Sequence, residues 1–179
     1  MELYKHQKEA IDALYNSSGN GSLHMTMRSM KSRIVIEYIT SFIHSKTLWL
    51  VYDTDERDKD LEAEFNRWGS GQYFKDNVKA IHPRSLKKED LNQYDLIVFN
   101  ECHGITDTST ALLKGYSGRI IGLTGTDPNN WDKKRNLEAI GLDNIIYEYL
   151  LDDAASDGTI AEYNIEILRV PLDDRDNVV

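Results

Sequence analysis

The sequence predicts an α/β domain, an open and mainly parallel β-sheet with helices on both faces. Short apolar runs rich in β-branched residues alternate with longer amphipathic stretches along most of the chain. The runs at 47–52 (TLWLVY), 96–99 (LIVF) and 120–123 (IIGL) are almost continuously apolar, which marks strands covered on both faces. No internal repeat or low-complexity tract interrupts the alternation, and the chain has only 3 prolines. Strand–helix alternation at this spacing reads as successive βαβ units.

Taken in order, residues 22–26 form a short first strand. A helix follows, with Ile34, Val35, Tyr38, Ile39 and Phe42 at three-and-four spacing. The second strand, 47–52, runs into a charged helix that carries Leu61, Ala63, Phe65 and Trp68. The run 53–64 reads as a solvated helix face. Residues 78–81 form a third strand, 96–99 a fourth and 120–123 a fifth, with a helical stretch near 108–114. Past Pro128 the pattern weakens. Residues 144–151 and 163–172 look like two further strands, and the acidic end DDRDNVV reads as a linker or frayed terminus. The expected domain is 1–172, with 173–179 beginning a linker. Trp49 sits among apolar neighbours and is expected in the core. Trp68 and Trp131, beside polar turns, are expected to pack at the domain edge, and His24 and His44 are expected to be structural.

The chain has 179 residues, 40% of them hydrophobic, enough for one sizeable core. Lys and Arg total 21 against 30 Asp and Glu, a formal charge of -9. That balance argues against a protein that coats nucleic acid generally, and leaves room for a local basic patch at Arg84, Lys87, Lys88 and Lys114. The one cysteine, Cys102, excludes an intramolecular disulfide framework and a Cys-rich zinc module. The N-terminal MELYKHQKEA has no apolar signal core, and no stretch approaches the roughly 20 apolar residues of a membrane span. The expectation is a soluble, acidic, intracellular domain with no membrane partner.

In open α/β sheets ligands sit beyond the carboxyl ends of the strands, so the residues just after each strand matter most. After the first comes MTMRSMKS, 25–32. A phosphate loop needs backbone amides aimed at the anion, a helix N-terminus, a Lys for the outer phosphates and a hydroxyl for Mg²⁺. Lys31 and Ser32 supply the last two. The glycines of G-x-x-x-x-G-K-S/T are replaced by Met25 and Met30, so the segment alone also suits an ordinary helix start with an exposed lysine. The fourth strand ends in Asn100-Glu101-Cys102-His103. Nucleotide hydrolases place there an acid that holds Mg²⁺ and often a second that activates water. Glu101 suits the second role, and Asn100 brings a neutral oxygen to the position of the first. The fifth strand ends in GLTGTD, 122–127, a run of small and hydroxylated residues that also suits a simple loop.

In order, these segments resemble the first RecA-like lobe of a superfamily 2 helicase, a P-loop NTPase fold, over nearly the whole chain. Leu3 to Gln7 looks like the upstream L-x-x-Y/H-Q element, in which Gln7 would read the adenine edge. Residues 25–32 look like a degenerate motif I, in which Arg28, Ser29, Met30, Lys31 and Ser32 would contact the nucleotide. Residues 51–54 look like motif Ia with Asp53 in place of a proline. Residues 100–103 look like the D-E-x-H box, and Leu123 to Thr126 like motif III. The resemblance implies Lys31 and Glu101 as catalytic residues, and Ser32, Asn100 and Glu101 around Mg²⁺. It further implies His103, Thr124 and Thr126 as coupling residues, and Thr54, Arg84 and Ser85 as nucleic-acid contacts. Residues 157–167 and 170–173 resemble the segment leading to the second lobe in phage-type and restriction-type DNA helicases.

ATP and Mg²⁺ are thus the implied cofactors. The implied partners are single-stranded or branched DNA and a second RecA-like lobe, in the cytoplasm of a bacterium or phage-infected host. Met30 and Asn100 depart from the pattern and imply weak ATP binding and slow hydrolysis. No segment after Pro171 supplies the arginine fingers of a second lobe, so the chain is read as a helicase fragment or a lone lobe. Two alternatives stay open: a degenerate lobe that binds nucleic acid or protein without turnover, and an unrelated α/β nucleotide enzyme such as a kinase.

Overall fold

The computed structural model describes residues 2–41, 45–52, 56–128 and 130–161. The strands are β1 (Gly21–Met25), β2 (Thr47–Leu50), β3 (Val78–Ile81), β4 (Leu96–Asn100), β5 (Arg119–Thr124) and β6 (Ile145–Tyr149). They form one six-stranded sheet in the order β3-β2-β4-β5-β1-β6. Every pairing is parallel. The helices are α1 (Lys5–Asn16), α2 (Lys31–Thr40), α3 (Glu56–Arg67), α4 (Gly71–Asn77), α5 (Asp107–Leu113), α6 (Trp131–Glu138) and α7 (Leu151–Ser156).

Side chains of a strand alternate between the two faces of the sheet, and here each face has its own buried cluster. Trp49, Val51, Leu96, Val98, Ile121 and Leu123 face α1, α2 and α3, joined by Leu14, Ile34, Ile39 and Phe65. Leu48, Leu50, Ile97, Phe99 and Ile120 turn the other way, toward Leu113, Leu137, Ile140 and Leu142. The continuous apolar runs are therefore continuous because both faces are covered. The centre of the sheet is tight at Gly122, where a Cβ would lie 2.9 Å from Cys102 Sγ and 3.1 Å from Leu142 Cδ1.

The strand assignments from 22–26 to 120–123 hold to within two residues at each end, and 144–151 contains β6. Helices α1, α4, α6 and α7 lie where the sequence pattern gave no helix. Trp49 is buried as expected, and Trp68 stacks over the Arg33 guanidinium at 3.8 Å. Trp131 departs from expectation: as the first residue of α6 it is 79% exposed, because that helix buries its opposite side through Asn136 and Leu137. The strand expected at 163–172, the linker from 173, and also Asp53, Thr54 and His44, lie outside the described residues. No helix among the described residues is long and apolar enough to cross a membrane.

Candidate functional site

β1 and β5 are direct neighbours, and β4 lies beside β5, so the segments leaving their carboxyl ends converge. The loop 26–30 leaves β1 and is held at both ends. The Thr26 N–H donates to the Tyr149 carbonyl of β6 at 2.9 Å, and the Ser29 hydroxyl folds back onto the Thr26 carbonyl at 2.7 Å. To turn this tightly into α2, the backbone enters the left-handed region twice, at Arg28 (φ 66°) and Met30 (φ 57°). These are positions where glycine carries no steric penalty and other residues do. The loop thus makes both left-handed turns without glycine. Met30→Gly is expected to raise stability by about 1 kcal/mol by removing the left-handed penalty, and Met30→Val to lower it. A pair of urea unfolding curves checks the order, and a destabilised glycine variant would show that the Met30 side chain packs better than its backbone suffers.

Lys31 opens α2 and curls over this loop, donating to the carbonyls of Met25 (3.0 Å) and Thr26 (3.3 Å). Burial pushes its ammonium below the usual lysine range, and the nearby Glu101 carboxylate partly offsets this. Gly125, after β5, crosses the same loop so closely that a Cβ would lie 3.1 Å from the Met25 carbonyl and 3.4 Å from Lys31 Nζ. Lys31, Glu101 and the segment after Thr124 therefore meet at one carboxyl edge.

Glu101 itself is left-handed (φ 53°) at the turn out of β4, and His103 Nδ1 lies 3.4 Å from its carboxylate. His103 Nδ1 is also 3.0 Å from Thr124 Oγ1. The Thr124 hydroxyl donates to the Thr126 carbonyl (2.6 Å) and accepts from the Thr126 N–H (3.1 Å). Its one proton is thereby used, so the contact requires Nδ1–H of His103 to donate. The ends of β4 and β5 are joined by this chain of bonds. Cys102 lies beneath, its thiol pushed up to about 12 by burial and then by Glu101, which makes it a packing residue and not a nucleophile.

The upstream element docks on the loop 26–30 from the other side. Gln7 is fully buried; its Oε1 accepts from the Tyr4 N–H (3.0 Å) and its Nε2 reaches the Ser29 carbonyl (3.4 Å). His6 points at the same carbonyl and lies in a stack between Tyr4 (5.8 Å) and Tyr149 (4.2 Å). Gln7 is in this way committed to the loop.

Arg84 and Ser85 stand apart. They lie on the 3-10 helix Pro83–Lys88 after β3, at the far edge of the sheet from β1. The His82 ring nitrogen accepts from the Arg84 N–H at 3.0 Å, and the Arg84 side chain is exposed.

A cavity of about 150 Å³ lies beside the start of α2, lined by Ser32, Trp49, Asp60, Glu64 and Asn100 among others. A second of about 510 Å³ covers the top of β1, β5 and β6, between Met27, Thr126, Asp127 and Leu150. For ATP with Mg²⁺ the groups present fit. The loop amides, the α2 N-terminus and Lys31 suit phosphates, and the neighbouring donors are the oxygens of Ser32, Asn100, Glu64 and Glu101, as Mg²⁺ prefers.

The solved structures include a close architectural match, the helicase domain of Hef from Pyrococcus furiosus, with a TM-score of 0.65 over 96% of this chain at 15% identity. The fold is that of a RecA-like helicase lobe. This chain spans 44% of the Hef helicase domain. No protein-family profile and no curated protein matches the sequence.

Within this lobe, sequence reasoning missed one residue at the centre. Glu64 belongs to the run read as a solvated face, yet it is half-buried and lines the same cavity as Ser32 and Asn100. The signal was available: Glu64 lies three residues after Leu61 and four before Trp68, on the stripe that α3 buries.

Proposed function

We propose that the chain is the ATP-binding N-terminal lobe of a superfamily 2 DNA helicase or translocase, of the phage or restriction type. The observation that carries this reading is the left-handed loop at Arg28 and Met30 with Lys31 curled over it, facing Glu101 and the His103–Thr124 link. Arg28, Ser29 and Met30 would present backbone amides to the phosphates, with Lys31 neutralising the outermost. Ser32 and Asn100 would lie at the Mg²⁺, which supplies charge neutralisation across the phosphates when bound. Glu101 would orient water, and Gln7, through Ser29, would tie adenine recognition to the loop. His103, Thr124 and Thr126 would pass the state of the site from β4 to β5.

Single-stranded or branched DNA would cross the carboxyl edge near Arg84, Ser85, Thr54 and Thr126, held by phosphate contacts and so sensitive to salt. A second RecA-like lobe would close the site and bring the transition-state arginines, which leaves hydrolysis by this lobe alone impaired. Such a protein would work in the cytoplasm of a bacterium or phage-infected cell. A second reading, a degenerate lobe that binds nucleic acid or protein without turnover, is favoured by Asn100, which lacks the charge that holds the metal.

The test is calorimetric titration of the chain with a non-hydrolysable ATP analogue. Lys31→Ala is expected to weaken binding at least tenfold with the thermal unfolding midpoint lowered little, because the buried ammonium is itself held below its ordinary pKa. Equal affinity of parent and variant would remove the nucleotide site from this loop and leave the second reading.

A further inference from the structure

Asn100 ends β4 where a carboxylate would hold the metal of a bound nucleotide, and the cavity beside it contains a carboxylate from elsewhere. α3 places Glu64 in the lining of the space that Ser32 and Asn100 also line, with Asp60 one turn earlier at the same rim. We propose that Glu64 supplies the metal-holding carboxylate that Asn100 lacks, so that Ser32 and Glu64 together would hold the Mg²⁺ of a bound nucleotide. This inference rests on the nucleotide reading above.

Three further observations bear on it. First, Glu64 occupies an expensive place for an acid. It sits on the buried stripe between Leu61 and Phe65, which are 7% and 0% exposed, with Trp68 one turn on. An acid in such surroundings gains from a cation more than a solvated acid does. Second, the space suits the ion. The cavity of about 150 Å³ has room for an ion with several waters, and Mg²⁺ keeps several of its waters in protein sites. Third, the donors are chemically right. A hydroxyl, an amide oxygen and carboxylates are all hard oxygen ligands, and among the described residues no thiol or imidazole lines the cavity.

The position of Glu64 also sets it apart from Glu101. Lys31 feels Glu101 directly, whereas Glu64 faces Ser32, the next residue along α2. The two carboxylates therefore act on different neighbours, and a neutral Asn100 at the strand end avoids placing two like charges in the one small space it lines with Glu64. The acid is relocated from the strand to the helix.

The experiment titrates the chain, Glu64→Gln, Asn100→Asp and the double variant with a non-hydrolysable ATP analogue, in excess Mg²⁺ and again in EDTA. Mn²⁺ replaces Mg²⁺ in a parallel electron paramagnetic resonance measurement of metal bound with the analogue. Glu64→Gln is expected to weaken binding in Mg²⁺ at least tenfold, about 1.4 kcal/mol, with affinity in EDTA unchanged and bound Mn²⁺ lost. Adding Asn100→Asp to Glu64→Gln is expected to restore both, while Asn100→Asp alone gains less than it does in the double variant. Because glutamine keeps the shape and removes a buried charge, the thermal midpoint of Glu64→Gln should stay level or rise, which separates metal loss from unfolding. Unchanged or tighter Mg²⁺-dependent binding in Glu64→Gln overturns the proposal, since Glu64 would then merely occupy the Ser32 hydroxyl. A parent that binds no analogue in either buffer overturns the nucleotide reading itself. Parent binding with no loss in Glu64→Gln overturns only the role of Glu64.

Discussion

Replacing Arg119 by alanine is expected to lower stability by about 3 kcal/mol, and with it the unfolding midpoint by about 9 °C for a chain of this size. Arg119 begins β5, and its guanidinium spreads across three elements. Nε donates to the Gly19 carbonyl at 2.9 Å, and Nη1 to the Leu14 carbonyl at 3.2 Å and the Tyr38 hydroxyl at 2.6 Å. Nη2 donates to the Ser17 hydroxyl. Leu14 and Ser17 close α1, where the last carbonyls of a helix lack intrahelical donors and a cation is favourable. One planar fork therefore fastens α1 and α2 to the amino end of the sheet. Lysine keeps the charge and loses the fork, so Arg119→Lys should recover only part of the loss. The amino end of β5 lies at the opposite end of the sheet from the loop 26–30, so affinity for a nucleotide analogue should be unchanged in whatever fraction stays folded. Urea denaturation with a parallel binding titration measures both, and a loss below 1 kcal/mol for Arg119→Ala would mean that solvent replaces these bonds without penalty.

Arg119 also marks the boundary of what the sequence made legible. The strands could be placed because burial on both faces leaves runs such as LIVF with no polar position to confuse the period. The three groups at the carboxyl edge, Lys31, Glu101 and Thr124, could be placed for the same reason, since each follows such a run. The order of the strands could not: that β5 inserts between β1 and β4 depends on pairings about 100 residues apart along the chain, such as Gly21 with Ile121. The surface helices were hidden by their composition. α1 reads KHQKEAIDALYN, and its buried stripe includes His6 and Gln7, which an apolar pattern does not count. Gln7 and His6 are buried because they bond to the Ser29 carbonyl, a partner far away in sequence. Glu64 was hidden in the same way. Its charged neighbours suggested solvent, and only the packing of α3 on β2 turns it toward Ser32. Met30 was legible as a departure from glycine; that the loop keeps its left-handed turns regardless was not.

The packing of α3 on β2 centres on Trp49, and Trp49→Ala is expected to lower stability by about 4 kcal/mol, or about 12 °C in the unfolding midpoint. Trp49 is 1% exposed on β2, and its ring meets Phe65 edge-on with centroids 5.9 Å apart. Truncation removes a large apolar surface and leaves a void that the flanking strands cannot close, because β3 and β4 hold β2 on both sides. Trp49→Phe keeps the edge-to-face contact in part and should lose about half as much. The loss should also be local in character. α3 gives up its main contact with the sheet, so its amide hydrogens should exchange first, while those of β4 and β5 keep protection nearer the global limit. Since Trp49 and Glu64 line the same cavity, the void opens directly onto the space between Ser32 and Asn100. Thermal melts and hydrogen exchange of the parent and both variants decide the matter. Full stability in Trp49→Ala would mean that the ring is not a core element, and uniform loss of protection would mean that α3 and the central strands unfold as one unit.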